Sequence, residues 1–181
     1  MIECSLFSTK KCVRRLRAYL EARRWRSRVL AETESVYVGG WSRVYVLESR
    51  SRIVQRSRYD YNKERRCVCC AVSESAVLGC DDMDSMMHAL GFRKEKTLRV
   101  DGFFYTHSGV CLEITRTGSG GHEDCGEWLL VLYSRAETAA EGERLVLEAN
   151  ACLRPYAVFT KPSVEWFNRG LAGGVQSTPG A

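Results

Sequence analysis

Apolar and polar positions change period several times along this chain, and each change marks an element. Over residues 2–8 the apolar positions alternate loosely around Leu6 and Phe7, the period-two signature of a strand. The period then lengthens. Val13, Leu16 and Leu20, with Tyr19 beside them, recur at helical spacing within residues 10–26, and Ser8 or Thr9 stands where an N-cap belongs. Residues 27–38, 41–48, 51–58 and 66–73 carry β-branched and aromatic side chains at short intervals. Gly39-Gly40, the Ser-Arg pairs and Asp60-Tyr61-Asn62 punctuate them, so the stretch reads as an antiparallel meander. Asp81 or Asp82 caps a second helix in which Met83, Met86, Met87 and Leu90 follow i, i+3, i+4, i+7, with Gly91 as its left-handed stop. Strands follow at 97–101, 103–107, 110–117 and 127–135, and a glycine-rich loop occupies 118–126. A last helix over 136–153 places Ala140, Leu145, Leu147 and Ala151 near one face before Pro155 ends it.

Strands outnumber helices and follow one another as hairpins, which excludes a parallel βαβ sheet. The expected fold class is α+β: an antiparallel β-barrel with about three flanking helices, folded as a single domain over residues 1–169, with 170–181 a disordered tail of small residues. At 181 residues, 45% apolar and 27% charged, the chain has the length and balance of one globular domain. No apolar run approaches the roughly 20 residues of a membrane-spanning helix, and the first residues lack a basic stretch leading into an apolar one, so an intracellular protein is expected.

Charge sharpens the picture. Residues 10–66 carry 17 Lys and Arg against 6 Asp and Glu, whereas residues 67–181 carry 10 against 15. A basic first third suits nucleic acid or an acidic protein partner, and suits equally a solvated helix face with strand edges guarded by cations. The aromatic-studded basic motif of a single-strand binder is absent.

Candidate chemistry is sparse. Nine cysteines, an odd and irregular set, point to reduced thiols. Cys67 and Cys70 form a Cys-x-x-Cys, but a structural zinc site needs a second pair and only isolated cysteines, Cys80, Cys111 and Cys125 and later Cys152, follow, so packing on a buried strand is the better reading. His88, His107 and His122 have no metal-binding spacing, and Gly118 to Gly121 runs into acidic residues rather than into a phosphate-binding helix. Phosphate hydrolysis inside a barrel would need several inward carboxylates around a metal ion. Among the expected strands only Glu32 and Glu34 form a Glu-x-Glu; Glu3, Glu48, Glu113 and Glu127 stand singly, as solvent-facing strand acids do.

The first strand and helix (Ile-Glu-Cys-Ser-Leu-Phe-Ser, Leu-Arg-Ala-Tyr-Leu), the Met83 to Phe92 helix with its Gly-Phe ending, the hairpin after it, and Glu127-Trp-Leu-Leu-Val-Leu-Tyr-Ser leading to Leu153-Arg-Pro-Tyr together resemble the Mediator subunit 18 family. The resemblance covers most of the chain, is strongest over 80–167, is poor over 43–66 and is lost beyond Gly170. It implies the barrel of tunnel-type RNA triphosphatases without their metal-binding acids. It further implies a nuclear, noncatalytic subunit of the Mediator head module that pairs with subunit 20 and receives the C-terminal helix of subunit 8. No catalytic, metal or cofactor-binding residue follows from it. Trp25, Trp41 and Trp166 are the candidate partner-binding anchors, because aromatic side chains dominate interface hot spots. The alternatives are a metal-dependent triphosphatase of the same fold and a nucleic-acid-binding module.

Overall fold

Eight strands close into one antiparallel barrel in the order β1-β5-β4-β3-β2-β6-β7-β8, in a computed structural model that describes residues 1–39, 42–47, 52–57, 59–77, 82–116 and 127–163. They are β1 (Ile2–Lys10), β2 (Arg26–Gly39), β3 (Ser42–Leu47), β4 (Arg52–Arg56), β5 (Val68–Ala76), β6 (Arg93–His107), β7 (Val110–Arg116) and β8 (Trp128–Ala136). Three helices flank them: α1 (Arg14–Ala22), α2 (Met83–Ala89) and α3 (Ala139–Leu153). β2 to β5 form the expected meander, and closure comes from the terminal strands, with β1 paired to β8 from Ile2–Ala136 to Lys10–Trp128. Closing the ring removes the exposed edges that an open sheet of this size would present.

The main apolar core lies outside the barrel wall, not within it. Cys4 and Leu6 of β1, Leu112 and Ile114 of β7, and Leu130 and Leu132 of β8 face outward, where Leu16 and Leu20 of α1 and Val146 and Leu153 of α3 cover them. A second cluster sets Met87, flanked by Met83 and Met86, on Tyr37, Val44 and Val46. The methionine face of α2 is thus core packing, while Leu90 at its end is 63% exposed and leaves the expected stripe. Asp82 caps α2 by accepting from the Ser85 amide at 3.0 Å, and Gly91, at φ +82°, supplies the left-handed stop.

Several expected boundaries shift. β1 runs on through Ser8 and Thr9 to Lys10, because β8 offers partners that far, so neither residue caps α1; the N-cap is Val13, with no side-chain hydrogen bond. The strands expected at 97–101 and 103–107 are one strand, β6, whose Gly102 passes close to β7 rather than breaking the pairing: a Cβ there would lie 2.0 Å from the Ile114 carbonyl oxygen. α3 begins at Ala139 with Thr138 as its cap, and its buried stripe is Gly142, Val146 and Leu153, leaving Ala140 and Ala151 exposed. The loop at 118–126 and the tail at 170–181 lie outside the described residues. Among the described residues no helix is long and apolar enough to cross a membrane.

Candidate functional site: the polar barrel interior

Because side chains alternate across a strand, the residues of β1 opposite in sense to Cys4 and Leu6 point into the barrel. Glu3 is the first of them, paired in register with Cys70 of β5 and Arg135 of β8. It is 3% exposed and holds two guanidinium groups: Arg135 Nε donates to Oε2 at 3.0 Å, and Arg56 Nε of β4 donates to Oε1 at 3.2 Å. Arg135 also donates through Nη1 to Glu74 of β5 at 2.9 Å, and Glu74 accepts a further bond from Arg52. Glu113 of β7 accepts from the Tyr133 hydroxyl at 2.9 Å. β7 and β4 lie on opposite sides of the ring, and the charge of Arg56 nonetheless acts on Glu113, so the two meet through the lumen. Val54, Cys70 and Val72, with Tyr45 and Tyr59 against them, form a small apolar cluster on the same inner face.

Burial sets the electrostatics of this lining, and the arginines oppose it. Burial raises the pKa of Glu113 and of Glu34 above the usual carboxylate range, with Arg56 pulling each back in part. Burial pushes Glu74 upward too, but the hydrogen bonds from Arg52 and Arg135 outweigh it and hold that carboxyl low. Burial alone would depress Arg56; the facing Glu3 more than offsets this and keeps the guanidinium charged. Burial likewise pushes the Tyr133 hydroxyl up and the Cys70 thiol up to about 12, so neither is a nucleophile at neutral pH. The three arginines therefore pair with Glu3 and Glu74, while burial favours the protonated forms of Glu113 and Glu34. Among the described residues, no three carboxylates converge on a common point as metal ligands would. One polar atom is left over: the Ser5 hydroxyl is fully buried without a hydrogen-bond partner.

This lining corrects the expectation that lone strand acids face solvent. Glu3 is buried, and Glu113 and Glu34 are half-buried along the lumen; Glu32 pairs with Arg28 at 3.0 Å, Glu127 is exposed, and Glu48 lies outside the described residues. It also corrects the basic first third, for Arg56 spends its charge inside the barrel and Arg52 pairs with Glu74 at its half-exposed margin, while Arg14, Arg15, Arg23, Arg24 and Arg26 remain on the surface. In sequence a polar lumen looks like a solvated strand face, since both present polar residues at every second position. The residue that could have betrayed it is Glu3, lodged between Ile2 and Cys4 in the closing strand.

Of the three tryptophan anchors expected, Trp41 and Trp166 lie outside the described residues. Trp25, just beyond α1, is half-buried against the core and stacks on His107 at a ring separation of 5.4 Å. Trp128, which the sequence did not single out, lines a groove of about 520 Å³ with Lys11, Arg14, Arg17 and Glu21 of the α1 region. The Cys67–Cys70 spacing does not make a site, because the strand sends Cys70 into the lumen and Cys67 outward. Outside, Cys67 meets Cys69 and Cys4: the sulfur atoms of Cys4 and Cys69 are 3.3 Å apart and those of Cys67 and Cys69 3.7 Å. Thiols of Cys4 and Cys67 donating to Cys69, aided by Arg65, hold Cys69 below the usual thiol range. Cys67 is pushed up by those same bonds and by burial.

The shared architecture extends to solved structures. No protein-family model matches the chain, and no curated protein matches it in sequence. A chain of the Schizosaccharomyces pombe Mediator head module superposes with a TM-score of 0.69 at 15% identity, over 90% of this chain and 99% of that one. The PH1012 protein of Pyrococcus horikoshii gives 0.60 at 16% identity, covering 86% and 93%. A candidate adenylate cyclase from Vibrio parahaemolyticus gives 0.58 at 11%, covering 96% and 99%. One barrel fold therefore serves both a transcription-complex chain and a protein ascribed to nucleotide chemistry, and at these identities the likeness is one of fold.

Proposed function

We propose that the protein is a noncatalytic, nuclear interaction subunit of the Mediator head module, acting as a scaffold in transcription by RNA polymerase II. Its partners in this reading are Mediator subunit 20 and the C-terminal helix of subunit 8. The observation that carries the proposal is the self-neutralised lumen: Glu3 is shared between Arg56 and Arg135, so the interior braces the barrel and leaves binding to its outside. Fold likeness to the Mediator head-module chain supports the same reading, as does the resemblance carried by the Cys80 to Arg116 helix–hairpin and the closing strand. The groove beside α1 sets Trp128 among Lys11, Arg14, Arg17 and Glu21, and that beside α2 sets Phe92 among Asp84, Arg93 and Lys94, so each offers an aromatic anchor point within a charged rim to a partner helix; Trp25 is the described candidate for a partner contact. Co-purification from cells with identification of stoichiometric partners tests it. Recovery of a subunit 20 and subunit 8 homologue at equal stoichiometry is expected, and recovery as a lone monomer would sink the idea.

A second reading, a metal-dependent hydrolase of RNA or polyphosphate triphosphates, is favoured by one observation: the partnerless Ser5 hydroxyl lies two residues along β1 from Glu3, on the same face, and the arginines that pair with Glu3 could grip phosphate. Incubation of purified protein with a nucleoside triphosphate and Mg²⁺ or Mn²⁺ separates the two. Phosphate release that disappears in Glu34→Ala and Glu113→Ala would replace the scaffold with this enzyme.

A further inference from the structure

Cys4, Cys67 and Cys69 converge outside the barrel in a way that packing alone does not require. Cys4 stands directly opposite Cys69 in the β1–β5 register, and Cys67 reaches the same face two residues before it. All three side chains are buried, and their sulfur atoms lie within 4.8 Å of one another. The roof of this pocket is the first turn of α3. Cys4 Sγ approaches the Ala139 carbonyl oxygen at 3.4 Å, and a Cβ on Gly142 would come within 2.8 Å of the same sulfur. A glycine inside a helix costs about 1 kcal/mol against alanine, and here its missing Cβ lets α3 close directly onto the Cys4 sulfur. One wall is the loop at 60–66. The bridge between Asp60 and Cys69, the bonds from Lys161 Nζ to the carbonyls of Asn62 and Arg65, and the bond from the Arg66 amide to Glu143 fasten residues 60–66 over the cluster.

We propose that these three cysteines form a binding site for one thiophilic d¹⁰ metal ion, zinc or copper(I), that fastens β1, β5 and the loop at 60–66 to one another. Zinc–thiolate bonds of about 2.3 Å place tetrahedral sulfurs about 3.8 Å apart, and three-coordinate copper(I) needs a similar spread. The observed separations of 3.3 and 3.7 Å reach that geometry by an opening of a few tenths of an ångström. Soft thiolate donors select these ions over magnesium or calcium. Three cysteines are the whole protein donor set among the described residues, so copper(I) fills it as a trigonal site and zinc adds a water. Binding replaces the remaining thiol protons by the ion, and the protons pass to the buffer with no change in oxidation state. The charge of the Arg65 guanidinium acts on Cys69 and offsets part of the residual negative charge.

The test uses the full, reduced chain under anaerobic conditions. Zn²⁺ and Cu⁺ are titrated separately against chromophoric chelators, with Cd²⁺ as a reporter of thiolate charge-transfer absorption, and melting temperature is followed in parallel. One ion per chain and a higher melting temperature are expected with at least one of the two ions. Both effects should vanish in Cys69→Ser and Cys4→Ser and survive in Cys70→Ser, whose thiol faces the lumen. Should Cys69→Ser fail to fold, Cys67→Ser supplies the same readout. Absence of stoichiometric binding by either ion, binding that persists in the Cys4 and Cys69 variants, or isolation of a Cys4–Cys69 disulfide in place of the metal would each overturn the proposal.

Discussion

Burial and guanidinium pairing drive the lumenal carboxylates in opposite directions, and pH separates them. Glu113 and Glu34 have folded-state pKa values raised above the ordinary 4.5, so the stability they contribute is complete below that pH and is lost as pH rises through the raised values. Glu74 is the reverse: held low by Arg52 and Arg135, it contributes stability above 4.5 that is lost as pH falls through its lowered value. Glu113→Gln should therefore melt above the parent at neutral pH, with the advantage shrinking as the solution is acidified. Glu74→Gln should melt below it at neutral pH, with the deficit shrinking on acidification; thermal melts of the three proteins across the acid-to-neutral range check both. Gly142→Ala presents a further contest. Alanine favours the helix by about 1 kcal/mol, but its Cβ would press on Cys4 Sγ from 2.8 Å, with Ser134 Oγ only 3.3 Å away, and overpacking of that kind costs about 1–3 kcal/mol. A net loss is expected by urea unfolding. Glu74 and Gly142 do not stand out in sequence, and Glu113 reads there as a solvent-facing acid, because burial inside a closed wall depends on which strands pair, and residue spacing does not encode that.

Elements were legible where one face is apolar and one end is capped. α2 was read with its Asp82 cap, its Met83 and Met87 packing and its Gly91 stop, since all of these are local. α1 was read by Leu16 and Leu20 but started too early, because Ser8 and Thr9 resemble caps and only the distant β8 shows that they belong to a strand. α3 was misread on its buried face: the helix packs through the small residue Gly142 against β1 and β8, and a hydrophobic pattern cannot flag a glycine as a contact. Its true cap offers a clean test. The Thr138 hydroxyl accepts from the Glu141 amide at 3.3 Å, and Thr138→Ala should lower stability by about 1 kcal/mol in chemical denaturation while leaving the barrel's circular dichroism intact.

For the molecule as a whole, the antiparallel barrel was foreseeable from hairpin succession, whereas the polar interior was not, since a neutralised lumen and a wetted surface share one alphabet. Its central tie is Glu3. Removing it in Glu3→Ala leaves Arg56 and Arg135 without their shared carboxylate in an enclosed space, and the expected loss is about 3–5 kcal/mol, measured as a drop in the denaturation midpoint. The strand that carries Glu3 also imposes an order on the molecule's birth. Only Ile2 to Ser5 of β1 can pair with β5, while the full strand from Ile2 to Lys10 waits for β8, made more than a hundred residues later. At about 5–20 residues per second the ribosome takes roughly 6 to 25 s to cover that distance. Through that interval the nascent chain carries a half-paired strand, and any message cut short before Trp128 yields a product whose ring has a permanently open seam.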